Sequence, residues 1–416
     1  LASNVIGFTT SDNKGNWGIE QYYNDELSGI DGISLGYMDN ELNLKAKIHP
    51  PTDGNSLVTT IDANVQRIVQ DHILKFNEEI GSKNIGVLVM DPNNGEILAM
   101  ASNKEYDLNK PADLSPFFEE AEIEQMSEEE KMDFLNSIWR NYIISDSFEP
   151  GSTFKPFTIA AALEEGKAYQ EETFMCDGYE IVGGWTIRCS KRSGHGLITL
   201  REALMYSCND ALMQIVQKEG RKVFHDYHTF FGFGSKTGID LPGEAGGLIL
   251  SEDKLNASEL ATSSFGQTFT TTMIQTAAAY SSLINGGNYY KPHLVKQILN
   301  EDGAIIEENT GEILKKTVSK KTSDFIKDAM YMTVKEGTAT SANVEGYSVS
   351  GKTGTAQKQP RSDKTYVVSF IGNVPEDNPK AVIYVVIDEP EKVDNQADSS
   401  IAAMLTSKIL KDILGN

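Results

Sequence analysis

Glu149-Pro150-Gly151-Ser152-Thr153-Phe154-Lys155 opens an apolar block in which Phe154, Phe157, Ile159, Ala160 and Leu163 recur at helical spacing. Gly151 precedes the block, and Pro156 falls in its first turn, where proline is tolerated. Ser152 therefore stands at or near a helix N-terminus, with Lys155 three residues on and on the same face. A hydroxyl and an amine lie side by side, next to free backbone N–H groups and the positive end of the helix. An activated serine requires this. An N-cap serine with a surface lysine would give the same pattern, so S-x-x-K alone does not separate the two.

Working outward, 416 residues can bury one large core plus a smaller unit, and 39% hydrophobic with 23% charged residues is a globular balance. The net charge of -23 argues against a nucleic-acid partner, because phosphates would be repelled, and against adhesion to anionic lipid. No run approaches the roughly 18 apolar residues that span a bilayer, and no signal peptide is visible. The chain begins at Leu1 in mid-pattern (Asn4-Val5-Ile6-Gly7-Phe8), as a fragment lacking an upstream anchor would.

Residues 1–56 are polar and Gly/Asp-rich and read as an extended segment, closed by the turn signal Pro50-Pro51-Thr52-Asp53-Gly54. A second unit runs from 57 to 416. Ile61 to Ile80 is amphipathic, with Asp62 as its N-cap. Ile85–Met90, a turn at Asp91–Gly95 and Glu96–Met100 form a hairpin. Residues 117–134 form an acidic, helix-prone, solvated insertion without chemistry. Helical spacing covers 152–165, 199–217, 221–231, 270–286 and 319–336. Strands return at Tyr347–Lys352, Tyr366–Asn373 and Ala381–Ile387, and a helix at Ala397–Leu414 ends the chain. Strands at both ends of a helical insert predict an α+β fold with an antiparallel sheet covered by helices.

Two further motifs follow the first in order. Ser207-Cys208-Asn209 ends a helical run, and Lys352-Thr353-Gly354-Thr355 lies on a strand. S-x-x-K, an S-D-N-type triplet and K-T-G together are the signature of penicillin-binding proteins and class A β-lactamases. Lys236-Thr237-Gly238 repeats the third motif, but it lies close to Asn209 and heads into the Pro242-Gly243 turn, so it reads as a structural loop.

With these motifs the chain resembles a class B penicillin-binding protein, most closely the Gram-positive sporulation and elongation types. The resemblance extends to Gly18-Ile19-Glu20, Thr60-Ile61-Asp62, Gly194-His195-Gly196, Ala261 to Gln267, Ile284-Asn285-Gly286-Gly287 and Thr355-Ala356-Gln357. It implies a penicillin-binding protein/serine β-lactamase-like transpeptidase domain at 57–416, with 1–56 the end of an N-terminal pedestal. It also implies an extracytoplasmic location, a membrane-helix anchor and a membrane glycosyltransferase as partner. Ser152 would be acylated by the D-Ala-D-Ala end of a stem peptide and pass the acyl group to a second stem-peptide amine. Lys155 would be the base, kept neutral by burial and by Lys352 as a second cation. Ser207 would relay a proton and Asn209 would hold Lys155 and the substrate amide. Thr353 and Thr355 would bind the terminal carboxylate, with Lys352 supplying charge and Gly354 between them in the motif, and the N–H groups of Ser152 and Thr355 would form the oxyanion hole. The strand edge would receive the peptide as an added strand. β-Lactams would acylate the same serine, and no cofactor is needed for this chemistry. The rivals are a β-lactamase, for which no deacylating glutamate motif is visible, and a β-lactam sensor that does not cross-link.

Cys176, Cys189 and Cys208 are the only cysteines, with His195 among them at spacings C-x12-C, C-x5-H and H-x12-C. Four soft ligands within 33 residues suit a structural zinc, with Asp177 or Asp210 as a substitute ligand. A Cys176–Cys189 disulfide and buried free thiols are the alternatives, and the spacing does not choose among them.

Overall fold

The structure, a computed structural model, describes residues 1–38 and 44–415; the part of the 1–56 segment at 39–43 lies outside them. α1 (Ala63–Glu79) starts where the Asp62 carboxylate accepts the N–H of Asn64 at 2.8 Å and of Val65 at 3.1 Å. β1 (Ser82–Met90) and β2 (Ile97–Ser102) form the expected hairpin. The helical middle holds α2 (Lys155–Glu164), α3 (Asn209–Phe230), α4 (Met273–Ile284) and α5 (Lys320–Lys335). The chain returns as β3 (Ser350–Gln357), β4 (Tyr366–Val374), β5 (Ala381–Pro390) and α6 (Ser400–Gly415).

These five strands form one antiparallel sheet in the order β3-β4-β5-β1-β2. The N-terminal hairpin thus completes a sheet that the C-terminal strands begin, and β3 is left on an edge. Both faces are covered, which explains the unbroken apolar runs. On β5, Val382, Tyr384 and Val386 join the core beneath α2 and α4, while Ile383, Val385 and Ile387 face α1 and α6. Each such side chain contributes about 1.5–3 kcal/mol by leaving water, so the sheet is a rigid platform for whatever its edge carries.

Several expectations shift. The third strand begins at Ser350, not Tyr347, because Gly346 (φ 85) and a Tyr347 N–H to Val344 O bond make a turn first. The predicted helix 199–217 is two helices, Leu200–Met205 and the start of α3, interrupted at Ser207 with φ 54. The predicted helix 221–231 continues α3 across a kink at Gly220. Residues 1–56 hold short helices and an antiparallel ribbon, Ile33–Met38 with Leu44–His49, exposed on both faces. The acidic insertion forms helices Glu120–Gln125 and Glu128–Trp139, whose buried side is Leu135, Ile138 and Trp139. Asn4 donates to the Ile138 carbonyl at 2.6 Å, so this insertion holds the N-terminal segment. Among the described residues no helix is long and apolar enough to cross a membrane.

Candidate active site

Ser152 lies in a single 3-10 turn, Gly151–Phe154, that leads directly into α2. Gly151 adopts φ 58, and a Cβ there would sit 2.5 Å from the Thr355 carbonyl oxygen and 3.1 Å from the Thr355 nitrogen. The turn is pressed against β3, so Ser152 and the third motif meet at one point. From behind, Gly266 O accepts the Gly151 N–H at 2.9 Å. Gly151→Ala should therefore cost about 2 kcal/mol or more through left-handed strain and overlap. It should also part the turn from β3. Urea unfolding together with penicillin acylation checks this, and a variant with wild-type stability would contradict it.

Lys155 is fully buried at the start of α2. Its Nζ donates to Ser207 O at 2.6 Å, to Ser207 Oγ at 3.0 Å and to Asn209 Oδ1 at 2.6 Å. The helix break that surprised the periodicity makes this possible: Ser207 in the left-handed region turns both its carbonyl and its hydroxyl toward the amine. Burial holds Lys155 down to about 8. Lys352, also fully buried, is held well below the ordinary lysine range by burial first and by Lys155 second. Burial, one of the two causes expected for Lys155, leads for both amines, and the second cation is felt at Lys352. Thr353 is buried on β3, and Thr355 donates its hydroxyl to Ala397 O at 3.2 Å. Sequence reasoning missed Ala397, which acts through its backbone and leaves no side-chain signal.

The second K-T-G stretch is a loop, as read: the Thr237 N–H and hydroxyl both donate to Glu244 Oε1 at 2.7 Å.

The second motif is backed by the thiols. Cys176, Cys189, His195 and Cys208 bring their ligand atoms within 4.8 Å of one another. Cys176 Sγ lies 3.4 Å and Cys189 Sγ 3.8 Å from His195 Nδ1, and Cys189 Sγ lies 3.9 Å from Cys208 Sγ. A tetrahedral site with metal–sulfur bonds of about 2.3 Å has ligand atoms about 3.8 Å apart, so the donors fit zinc in kind and spacing. All three cysteines are buried and unbridged. Hydrogen bonding with Cys208 lowers the Cys189 thiol, while the same hydrogen bond and burial raise Cys208. Asp177 and Asp210 stand outside the cluster: Asp210 accepts the Asp177 N–H at 3.0 Å and Gln214 Nε2 at 2.7 Å. Cys176 and Cys189 also bracket an unforeseen hairpin, Tyr179–Val182 with Trp185–Arg188, whose Arg188 carbonyl accepts from Asn209 Nδ2 at 3.4 Å. His195 stacks on Tyr206, ring centroids 5.7 Å apart, beside Ser207.

A serine on a helix-leading turn, three residues before a buried lysine that reaches a polar helix break, with a sheet edge packed on the turn, marks the class of serine proteins that form acyl-enzymes through lysine. Residues 85–411 match the penicillin-binding protein transpeptidase domain, and the chain belongs to that family, among its class B members. It is 37% identical to stage V sporulation protein D of Bacillus subtilis, over 99% of this chain and 62% of that protein. It is 29% identical to a probable peptidoglycan D,D-transpeptidase PenA of Neisseria meningitidis, over 94% and 63%. The chain thus spans about three fifths of the length of these curated relatives. Among solved structures, penicillin-binding protein 3 of Mycobacterium tuberculosis superposes with a TM-score of 0.83 at 26% identity, covering 100% of this chain and 88% of that one. That protein is also known in complex with aztreonam. The D,D-transpeptidase domain of an Eggerthella lenta protein gives 0.80 at 27% identity, covering 100% and 90%.

Proposed function

We propose that this chain is a peptidoglycan D,D-transpeptidase, working on the extracytoplasmic face of a membrane to which an N-terminal helix anchors the whole protein. The observation that carries this reading is the contact of Lys155 Nζ with Ser207 and Asn209, made from a turn packed on Thr355. Ser152 Oγ attacks the penultimate D-Ala carbonyl, the peptide bond breaks, and D-Ala leaves with a proton; a second stem-peptide amine then displaces the serine. A neutral Lys155 has two N–H bonds, which go to Ser207 O and Asn209 Oδ1. Its lone pair is left for the serine proton, with the Ser207 hydroxyl as relay to the leaving amine. Lys352, Thr353, Gly354 and Thr355 take the terminal carboxylate, and the N–H groups of Ser152 and Thr355 take the oxyanion. Residues 1–56 belong to a pedestal, 57–416 to the catalytic domain, and a membrane glycosyltransferase supplies the glycan. Cys176, Cys189, His195 and Cys208 would hold a structural zinc, which supplies rigidity beside Asn209 and no chemistry to the reacting bond.

Intact mass after benzylpenicillin tests the reading. A lasting 1:1 adduct is expected; absence of an adduct, or steady hydrolysis of the drug, would sink it. The pH profile is a second check. With Lys155 at about 8, only the neutral amine accepts a proton, so acylation should rise about fifty-fold from pH 6 to pH 8. A flat profile would remove Lys155 as the base.

A further inference from the structure

Beyond Asn209, the wall that carries Ser207 is continued by the hairpin Tyr179–Val182 with Trp185–Arg188 and by the loop 189–195. Asn209 Nδ2 donates to the Arg188 carbonyl at 3.4 Å, and the backbones of Asn209 and Lys191 both face the Cys189 sulfur. One face of the hairpin is taken up by packing: Val182 and Ile187 lie against Met213, Ala261 and Phe265. Arg188 stands opposite Tyr179 on the other face, and both are exposed. Lys191 and Arg192 follow it and are exposed as well. Three positive charges thus fall within five residues, in a chain with 60 acidic and 37 basic side chains. Among the described residues, none of the three side chains has an ion pair or a hydrogen bond. Asp210, on the first turn of α3, is engaged instead with the Asp177 N–H at 3.0 Å and Gln214 Nε2 at 2.7 Å.

The transpeptidase reading, on which this step rests, says what arrives there. In the second half of the reaction the acceptor amine bonds to the acyl carbon, the bond from that carbon to Ser152 Oγ breaks, and the proton lost by the amine ends on the serine oxygen. The incoming nitrogen takes the place of the departed D-Ala nitrogen, so the Ser207 hydroxyl that served the leaving amine serves the arriving one. With the donor occupying β3, the body of the acceptor lies along the wall that runs from Ser207 and Asn209 to Arg188. The acceptor is itself a stem peptide and an acid. Unpaired basic side chains on that wall match it in charge, and bonds between two ionised partners are the stronger kind. We propose that Arg188, Lys191 and Arg192 form an acceptor-side anion site that binds the carboxylates of the incoming stem peptide.

The test acylates the whole chain with benzoyl-D-alanyl thioglycolate and measures how the acyl group divides between acceptor and water, a ratio independent of the acylation rate. Tetrapeptide acceptors with a free side-chain amine, built on lysine and on diaminopimelate, are offered as the acid and with every carboxylate amidated. At about 50 mM salt the acid should be used about tenfold more efficiently in kcat/KM, the difference lying in KM, and about 0.5 M salt should remove most of that preference. With Arg188→Gln, Lys191→Gln and Arg192→Gln combined, the acid-to-amide ratio should fall to about one, whereas Arg188→Lys alone should keep most of it. Equal use of acid and amide by the wild-type chain would overturn the site, as would transfer to no acceptor while the acyl-enzyme hydrolyses. So would a triple variant that slows both forms alike and keeps the ratio, since the three side chains would then only hold the hairpin. If the triple variant does not fold, the wild-type salt series decides, and a preference indifferent to salt overturns the site. The reading beneath is scored separately: wild-type chain that forms a penicillin adduct yet treats acid and amide alike loses the anion site alone, whereas wild-type chain with no penicillin adduct loses both.

Discussion

Ser152→Ala should form no covalent adduct with benzylpenicillin, and cross-linking should fall by about four orders of magnitude or more, the scale seen when a catalytic nucleophile is removed. The same substitution should leave stability within about 0.5 kcal/mol of the parent. Ser152 is half-buried, and among the described residues its hydroxyl bonds to no other group, so its removal orphans nothing. That pairing of outcomes is diagnostic. Lys155→Ala would also stop acylation, but it would leave Ser207 O and Asn209 Oδ1 without their donor in a buried site and lower stability as well. Intact mass and urea unfolding of the two variants separate a pure nucleophile from a residue that also holds two motifs together. A Ser152→Ala chain that still takes up penicillin at one site would place the nucleophile elsewhere.

Chelation is the second large effect. If zinc sits among Cys176, Cys189, His195 and Cys208, stripping it should lower stability by about 4 kcal/mol for metal present at a thousand times its dissociation constant. Spread over a chain of 416 residues, that is a fall of about 5 °C in Tm. Acylation should slow too, because Cys208 precedes Asn209 and Cys189 follows Arg188, whose carbonyl Asn209 engages. Native mass spectrometry gives the metal count, and differential scanning fluorimetry with graded chelator gives the shift. A chain purified under reducing conditions that carries no metal and ignores both zinc and chelator would leave only the free-thiol reading.

The proposed reactive groups could be picked out because acyl transfer would restrict residue type at fixed offsets: Ser152 with Lys155, Ser207 with Asn209, Lys352 with Thr353. The sheet was legible at β1, β4 and β5, where burial on both faces forces continuous apolar runs. What stayed hidden depends on backbone. Nothing about a serine announces a left-handed residue, so the break at Ser207 was read through as helix. Ala397 and Arg188 contribute carbonyls, which every residue has. The Tyr179–Arg188 hairpin was missed because its strands alternate poorly: Tyr179, Ile181 and Trp185 are all exposed. The four metal-type residues were visible as a set, yet their spacing fits no common finger, and only the fold brings ligand atoms from 176 and 208 together.

That hairpin has a consequence for the thermodynamics of binding. Its two feet, Cys176 and Cys189, both meet His195, and Cys189 also meets Cys208. A zinc held among them would tie both feet and Cys208 together in the folded chain, and its binding free energy would add to that of folding. The wall behind Asn209 would then be ordered before any peptide arrives. An incoming strand would have only its own freedom to lose, and less of its contact energy would be consumed in arranging the surface that receives it.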